Sequence, residues 1–289
     1  MLDQATKLRQ MAEQYVIKDD RRDTETKVLT ITSGKGGVGK SNIVVNLGIM
    51  LQKLGKKVMI FDADLGMGND DVLIGCVPKY NVFDVIFSDK EIEEVLVEGP
   101  YGIKLLPGGS GLSKVDDLTE VQRKKFLKKL ENIEGFDYIL IDTGAGVNRS
   151  VLGFIACSDE LVVVVTPEPT ALTDAYSLLK AVNHFKIKAN AKVIINRVIS
   201  VSEGNNTFSK LRNAADKFLK IKLEHLGNIA DDSKVTQAVR KQKPLVLSYP
   251  NTEFVEDITI IAKHLQGINY RVTTSGVQEL FKRIFNIFS

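Results

Sequence analysis

The chain of 289 residues contains no tryptophan and only two cysteines, Cys76 and Cys157. Two cysteines without paired spacing exclude a disulfide framework and provide no CxxC metal or redox site. The three histidines, His184, His225 and His264, stand singly in the sequence, which favours solvated or packed roles over metal ligation. The sequence therefore predicts no metal centre built from cysteine or histidine.

Long apolar runs and an excess of one charge are also missing. The longest purely aliphatic run is Leu161 to Val165, far short of the ~20 residues needed to cross a bilayer. A total of 39 Lys and Arg against 36 Asp and Glu gives a net charge of +3, so no broad basic surface is available and nucleic acid is not an expected partner. The N-terminus lacks the features of a secretory signal. We therefore expect a cytoplasmic protein.

Short β-rich runs alternate with helical stretches between Lys27 and Gln266. The predicted strands are mostly apolar on successive residues, as in strands covered on both faces. They are Val28–Thr32, Val58–Asp62, Ile103–Leu106, Tyr138–Asp142, Leu161–Val165, Lys192–Ile195 and His225–Ile229. Repeated strand–helix–strand units predict one α/β domain over residues 27–266, with a doubly wound, mostly parallel sheet. Ligands of such sheets bind at the carboxyl ends of the strands.

A glycine-rich loop joins the first predicted strand to the helix predicted for Asn42–Leu54. Its pattern, Gly-x-x-x-x-Gly-Lys-Ser, is that of a P-loop, in which backbone N–H groups and the helix N-terminus face a polyphosphate. We expect Lys40 to contact the β- and γ-phosphates and the Ser41 hydroxyl to ligate Mg²⁺. The predicted nucleotide-binding residues of the loop are Gly34, Lys35, Gly36, Gly37, Val38, Gly39, Lys40, Ser41 and Asn42.

The KGGVGKS form of this loop, with its second lysine at Lys35, resembles the deviant Walker A motif of the MinD/ParA class of P-loop ATPases. The resemblance extends over roughly Lys27 to Leu265. In that family the first lysine reaches across a nucleotide-bridged dimer to the partner's phosphates, and the resemblance implies this role for Lys35. A second cation can stabilise charge on the transferred phosphoryl group. The resemblance thus implies binding of ATP and ADP, ATP hydrolysis, and a homodimer that forms with ATP.

Three aspartates follow predicted strands. The resemblance implies that Asp64, the second aspartate of D-x-D-x-G, positions the attacking water. It also implies that Asp62 supports Mg²⁺ or the switch geometry, and that Asp142 ligates Mg²⁺ directly or through water. A strand-end aspartate can instead cap a helix, but the P-loop nearby favours the catalytic interpretation. The Thr143–Gly146 segment departs from the family because it lacks the proline that many relatives carry.

The strand that ends in Asn196 and Arg197 resembles the family's Asn-Arg strand, in which the asparagine recognises the adenine edge. An asparagine amide offers both a donor and an acceptor to a base. Ala230 stands where relatives often carry a proline. The resemblance implies ATP as the nucleotide.

An amphipathic C-terminal helix follows a polar linker at 267–276. Its apolar positions lie at helical spacing, with cations beside them, and a MinD-type resemblance implies a membrane-targeting helix over 277–289. The predicted membrane-facing residues are Val277, Leu280, Phe281, Ile284, Phe285 and Phe288. The alternative is a helix docked on the core. The expected location is the cytoplasm, with reversible binding to the inner face of the cell membrane.

The N-terminal segment, residues 1–26, contains Asp-Gln-Ala-Thr-Lys-Leu-Arg. This resembles the DQAxxLR element of the FlhG (YlxH/FleN) branch of the family, which sets flagellar number and placement. The resemblance implies that the segment binds an FlhF-type GTPase and stimulates GTP hydrolysis, and flagellar switch (C-ring) components are further expected partners. The predicted contact residues are Asp3, Gln4, Ala5, Leu8 and Arg9. The alternative is an ordinary helix packed on its own core.

Other functions within the family stay open. A MinD-like division-site regulator is the main alternative. A DNA-partition ParA-like ATPase needs a basic DNA surface, which the near-neutral charge does not predict. Iron–sulfur carriers of this fold hold clusters with cysteines, and two isolated cysteines argue against that function.

Overall fold

The computed structural model describes residues 26–64, 68–88, 90–109, 118–130, 135–267 and 276–288. Eight strands in these ranges form one sheet. Along the chain they are β1 (Lys27–Ser33), β2 (Val58–Ala63), β3 (Val97–Glu98), β4 (Lys104–Pro107), β5 (Tyr138–Ala145), β6 (Glu160–Val165), β7 (Asn190–Val198) and β8 (Lys222–Ala230). The spatial order is β3-β4-β2-β5-β1-β6-β7-β8, and only the β3–β4 pair is antiparallel.

Helices cover both faces of this sheet. In chain order they are α1 (Lys40–Lys53), α2 (Asp70–Ile74), α3 (Val82–Phe87), α4 (Ile92–Val95), α5 (Glu120–Lys129), α6 (Arg149–Cys157), α7 (Pro169–His184), α8 (Val201–Phe218), α9 (Ser233–Arg240), α10 (Leu245–Ser248), α11 (Glu253–Gly267) and α12 (Val277–Phe288). A short 3₁₀ turn spans Pro100–Gly102. The doubly wound, mostly parallel α/β fold predicted from the sequence is confirmed.

Two apolar layers result from the alternation of side chains along the strands. Leu29 and Ile60 belong to the apolar cluster that includes side chains of α1 and α11, two helices that contact each other. Val28 and Phe61, their neighbours in sequence, face the layer that holds α3, α5 and α12. Helix α6 contributes side chains to both layers.

The seven predicted strands are all present, and their ends lie within three residues of the predicted ones. The edge strand β3 was not predicted, because a two-residue strand has no period to detect. The N-terminal partner-binding segment, with Asp3, Gln4, Ala5, Leu8 and Arg9, lies outside the described residues, and so does most of the 267–276 linker.

The apolar stripe of α12 is buried in the core. Phe281 lies 5.3 Å from Phe61 and 4.9 Å from Phe126, measured between ring centroids, and Phe288 lies 5.4 Å from Phe154. The remaining stripe residues are also buried: Val277, Leu280, Ile284 and Phe285. In this conformation the C-terminal helix is therefore docked on the core, which is the alternative to a membrane-targeting helix. The helix would have to leave its groove before the stripe could face lipid. No helix within the described ranges is both long and apolar enough to cross a membrane.

Arg283 departs from the sequence prediction. Arg283 lies beside the apolar stripe of α12, where the sequence predicts cations that face solvent. Instead its side chain is 4% exposed, its guanidinium donates a 3.3 Å hydrogen bond to the carbonyl of Cys157, and it lies 3.6 Å from the carboxylate of Asp159. The reason is tertiary: Asp159, just before β6, offers a buried negative charge that the sequence of the helix does not reveal.

Candidate nucleotide-binding site

A cavity of about 720 Å³ opens at the carboxyl ends of β1, β2 and β5. This is the edge at which parallel α/β sheets bind ligands. Its lining includes Gly36, Gly37, Gly39, Lys40, Ser41 and Asn42 of the loop, Asp64 and Asn69 after β2, Gly144 and Ala145 of β5, Ser150, Val151 and Phe154 of α6, and Arg197. Most of the predicted nucleotide-binding residues are thus brought to one cavity.

The loop conformation depends on specific glycines. Gly37 and Gly39 have φ of 78° and 90°, in the left-handed region that favours glycine. At Gly34 a Cβ would lie only 2.2 Å from the carbonyl carbon of Asp174 in α7. The loop therefore needs glycine both to turn and to pass close to a neighbouring helix.

Lys40 points into a buried acidic group below the loop. Its ammonium forms an ion pair with Asp142 and lies 3.5 Å from the Ser41 hydroxyl. Asp142 and Asp62 are register partners on the adjacent strands β5 and β2. The predicted Mg²⁺ residues Ser41, Asp62 and Asp142 therefore converge beside Lys40.

Asp62 also organises the segment that follows β2. Its carboxylate accepts hydrogen bonds from the backbone N–H groups of Asp64 at 3.2 Å and Asp70 at 3.4 Å. A Cβ at Gly68 would lie 2.5 Å from Asp62 Oδ2, so the chain passes close to this carboxylate. The predicted support of the switch geometry by Asp62 has a structural basis in these two bonds.

Burial changes the acidity of this group. Burial, together with the charge of Asp142, raises the pKa of Asp62 to about 7. Burial also raises the pKa of Asp142, against the opposing effect of Lys40. Burial and the charges of Asp142 and Asp62 raise the pKa of Asp70 well above its ordinary value. The three carboxyl groups thus outnumber the cationic group that faces them, the ammonium of Lys40.

Asp70 was not predicted from the sequence. It is 0% exposed and begins α2, a few residues beyond the D-x-D-x-G element. The available signal was the adjacent pair Asp70-Asp71 just ahead of an apolar helix, which also has the ordinary interpretation of a helix start.

The donor set suits Mg²⁺, because a hydroxyl and carboxylates are the hard oxygen ligands that this cation prefers. In the part of the chain that the structure describes, no three His, Cys, Asp or Glu side chains form a ready-made metal site. Nucleotide phosphates therefore have to complete the coordination, as in other P-loop enzymes.

Lys35 is held within its own subunit. Its ammonium forms a 2.8 Å ion pair with Glu168 and a 3.0 Å hydrogen bond to the Thr170 hydroxyl, and both lie at the start of α7. Lys35 therefore lies beside α7 in this conformation rather than over the phosphate position.

The comparisons with known proteins agree with this site. The AAA domain family (AAA_31) matches residues 26–195. The antiactivator FleN of Pseudomonas aeruginosa is 39% identical over 256 residues, which are 88% of this chain and 91% of FleN. The flagellum site-determining protein YlxH of Helicobacter pylori is 35% identical over 265 residues, 90% of each chain. In the MinC:MinD cell division protein complex of Aquifex aeolicus, one chain matches with a TM-score of 0.67 and 29% identity, covering 87% of this chain and 100% of that one.

The chain belongs to the MinD/ParA family of P-loop ATPases. Like the other members of this family, it binds nucleotide and hydrolyses ATP. In this MinD/ParA ATPase, the residue predicted to position the water, Asp64, lines the cavity and faces Gly144, at which a Cβ would lie 3.4 Å from Asp64 Oδ1. Asp64 thus lies in the cavity between the loop and the end of β5, and its role in positioning the water stays a prediction.

Asn196 has a contact that the sequence did not indicate. Its amide donates a 2.7 Å hydrogen bond to the carbonyl of Val38, and a Cβ at Gly39 would lie 2.4 Å from the same nitrogen. Asn196 is buried, whereas Arg197 is exposed with φ of 58° and lines the cavity. Asn196 therefore holds the phosphate loop from below, and its contact with adenine stays a prediction.

Proposed function

We propose that this MinD/ParA ATPase is a nucleotide-controlled switch that regulates the number and placement of flagella. The proposal is supported by its similarity to FleN and YlxH and by the DQAxxLR-like element that begins at Asp3. In the proposed cycle the chain is a monomer in the cytoplasm and an ATP-bound homodimer on the membrane.

The ATP-bound state requires Lys40 and Lys35 to change partners. Lys40 turns from Asp142 to the β- and γ-phosphates, while Lys35 leaves Glu168 and crosses to the phosphates of the second subunit. Ser41 and Asp142 would hold Mg²⁺, and the bound cation would neutralise phosphate charge. Asp64 orients a water for attack on the γ-phosphorus, and the bond to the ADP oxygen breaks. Because the Lys35–Glu168 pair is exposed to water, it costs little free energy to open.

One observation carries the link from nucleotide to membrane: Phe154 lines the nucleotide cavity and also packs on the C-terminal helix. Its ring lies 5.4 Å from that of Phe288. At Gly153 a Cβ would lie 2.4 Å from Phe288 Cζ, so α6 and α12 fit together without spare space. A small shift of α6 on ATP binding would therefore disfavour docking of α12.

A released α12 presents its aromatic stripe to lipid. A helix of 12 residues binds lipid only marginally alone, so two helices in one dimer bind far better through avidity. The N-terminal segment, with Gln4 and Arg9, then acts on an FlhF-type GTPase, and C-ring components are further partners.

The test combines sedimentation and liposome binding. With ATP and Mg²⁺ we expect the wild type to dimerise and bind liposomes, whereas the ADP form and Lys35→Ala stay monomeric and unbound. Deletion of 277–289 should abolish liposome binding, provided that thermal unfolding shows a folded body. Equal liposome binding by the ADP form would contradict the avidity argument.

A second assay addresses the partner. A peptide of residues 1–20 should raise GTP turnover by an FlhF dimer, and Gln4→Ala or Arg9→Ala in the peptide should weaken the effect. No stimulation at saturating peptide would leave a MinD-like division-site regulator as the better proposal. ATP-dependent binding to nonspecific DNA instead of liposomes would favour a ParA-like partition ATPase.

A further inference from the structure

Asp70 is a fully buried carboxylate in the acidic group beneath the phosphate loop. Among the described residues, no N–H group donates a hydrogen bond to either of its oxygens, and the side chain that it meets is the carboxyl group of Asp142. The charged groups that face it are Asp142, Asp62 and Lys40. A buried carboxylate without a hydrogen-bond donor costs free energy, so its presence here calls for a ligand or a counter-charge.

The ammonium of Lys40 faces the carboxyl groups of Asp62, Asp70 and Asp142. In the proposed cycle, nucleotide binding draws this ammonium away toward the phosphates. When Lys40 turns to the phosphates, the carboxyl groups of Asp62, Asp70 and Asp142 lose the ammonium that faces them and also face the charge of the triphosphate. Water does not screen these charges well, because Asp70 and Asp142 are almost fully buried. Nucleotide alone is therefore strongly disfavoured by this site, and a divalent cation compensates for the departing ammonium.

We propose that Asp70 is a third carboxylate of the metal site, which makes nucleotide binding by this chain depend on a divalent cation more strongly than Asp62 and Asp142 alone would. Asp70 acts on a metal that is already shared by Ser41, Asp142 and phosphate, either directly or through one of the waters that Mg²⁺ retains. Because no ready-made metal site exists among the described residues, metal and nucleotide are expected to bind together.

The experiment measures the affinity of a fluorescent ATP analogue twice, with Mg²⁺ and with EDTA, in the full chain. For Asp70→Asn we expect the ratio of the two affinities to be about tenfold smaller than in the wild type, mainly because binding in EDTA becomes tighter. Asp71→Asn is the matched control: Asp71 is the next residue, and its carboxylate instead accepts a 2.8 Å hydrogen bond from the backbone N–H of Val72. The control should keep the wild-type ratio.

Two results would overturn the proposal. An unchanged ratio in Asp70→Asn would mean that Asp70 carries no charge toward the metal, as in a carboxyl that keeps a proton shared with Asp142. Equal weakening under both conditions would mean that Asp70 only maintains the local structure. Asp70→Leu, checked by thermal unfolding, provides a second charge-removing variant, and Mn²⁺ titration of the nucleotide-bound protein should show weaker metal binding in both variants.

Discussion

The guanidinium of Arg283 on α12 and the carboxylate of Asp159 before β6 form a buried ion pair with atoms 3.6 Å apart. Asp159 also accepts a 2.9 Å hydrogen bond from the backbone N–H of Val28 in the central strand β1. The C-terminal helix is thus tied to the middle of the sheet by charge as well as by apolar contact. An Arg in this position has to lose a buried partner before the helix can leave.

Arg283→Met should loosen the docked helix. Removal of one partner of a buried pair leaves the other charge uncompensated, so the free energy of unfolding should fall by about 3 kcal/mol. Amide exchange in 277–288 should accelerate in the nucleotide-free protein. The matched control is Lys282→Met, since Lys282 makes only a 3.9 Å surface contact with Glu279. Unchanged exchange in Arg283→Met would show that apolar packing alone holds the helix.

Glu168→Gln should favour the ATP dimer. The exposed Glu168 carboxylate holds Lys35 at 2.8 Å in the monomer, and its loss removes a competitor for that ammonium. Because exposed ion pairs are weak, the concentration needed for dimerisation should fall only modestly, by roughly threefold. Sedimentation with ATP checks this. Glu98→Gln, which breaks a comparable exposed pair with Lys104, should have no effect.

Asp64→Ala should bind ATP but hydrolyse it slowly. Loss of the carboxylate that orients water should lower turnover by roughly 100-fold and let the dimer accumulate. Lys40→Ala should instead lose nucleotide, because the direct phosphate contact is removed. Nucleotide binding and phosphate release, measured separately, distinguish the two variants. Hydrolysis at the wild-type rate in Asp64→Ala would show that another group positions the water.

Asn196→Ala distinguishes a structural role from base recognition. If its amide mainly supports the carbonyl of Val38, affinities for ATP and GTP should fall together, by roughly fivefold. If it reads adenine, only ATP affinity should fall, and selectivity over GTP should decrease. Competition binding with both nucleotides measures this. Asn190→Ala, at the exposed start of the same strand, is the control.

The titration of Lys188 should make the free energy of unfolding depend on pH in the alkaline range. Burial lowers its pKa to about 8, a shift that Asp159 opposes and Arg283 reinforces. The other titratable groups that face it are Cys157 and Glu160. Between about pH 8 and the ordinary lysine pKa of 10.5, the unfolded chain binds a proton that the folded chain does not, so stability from this group rises with pH in that window.

Lys188→Met should therefore stabilise the protein at pH 7, by about 1 kcal/mol after allowance for the partly exposed side chain. The gain should shrink by pH 9.5. Urea unfolding at the two pH values measures it, with the exposed Lys180→Met as a control. A gain that does not change with pH would attribute the effect to apolar packing of the methionine.

The elements that the sequence predicted well are those set by local pattern. The runs Val28–Thr32 and Tyr138–Asp142 are strands because buried parallel strands need continuous apolar residues, and Lys40 and Ser41 lie where the loop spacing requires. The sequence also predicts an aspartate at the end of each of two strands, but the register that pairs Asp62 with Asp142 depends on the order of the strands in the sheet and was not predicted.

What the sequence did not predict depends on distant partners. The sequence of α12 alone predicts that Arg283 faces solvent, and only the fold brings Asp159 to it. Asp70 donates its backbone N–H to the carboxylate of Asp62, eight positions earlier in the chain, and this contact has no sequence signature. Asn196 and Val38 are 158 positions apart in the sequence, so the hydrogen bond from the Asn196 side-chain amide to the Val38 carbonyl has no local sequence signature.

In the proposed cycle, Phe154, which lines the nucleotide cavity and packs on Phe288, would make lipid an effector of ATP binding. Coupling between two binding sites is reciprocal, so any factor by which ATP increases the affinity for vesicles must equal the factor by which vesicles increase the affinity for ATP. A membrane patch that captures the helix therefore also retains the nucleotide, even without contact between lipid and ATP. The inner face of the membrane would then determine which molecules keep their bound ATP.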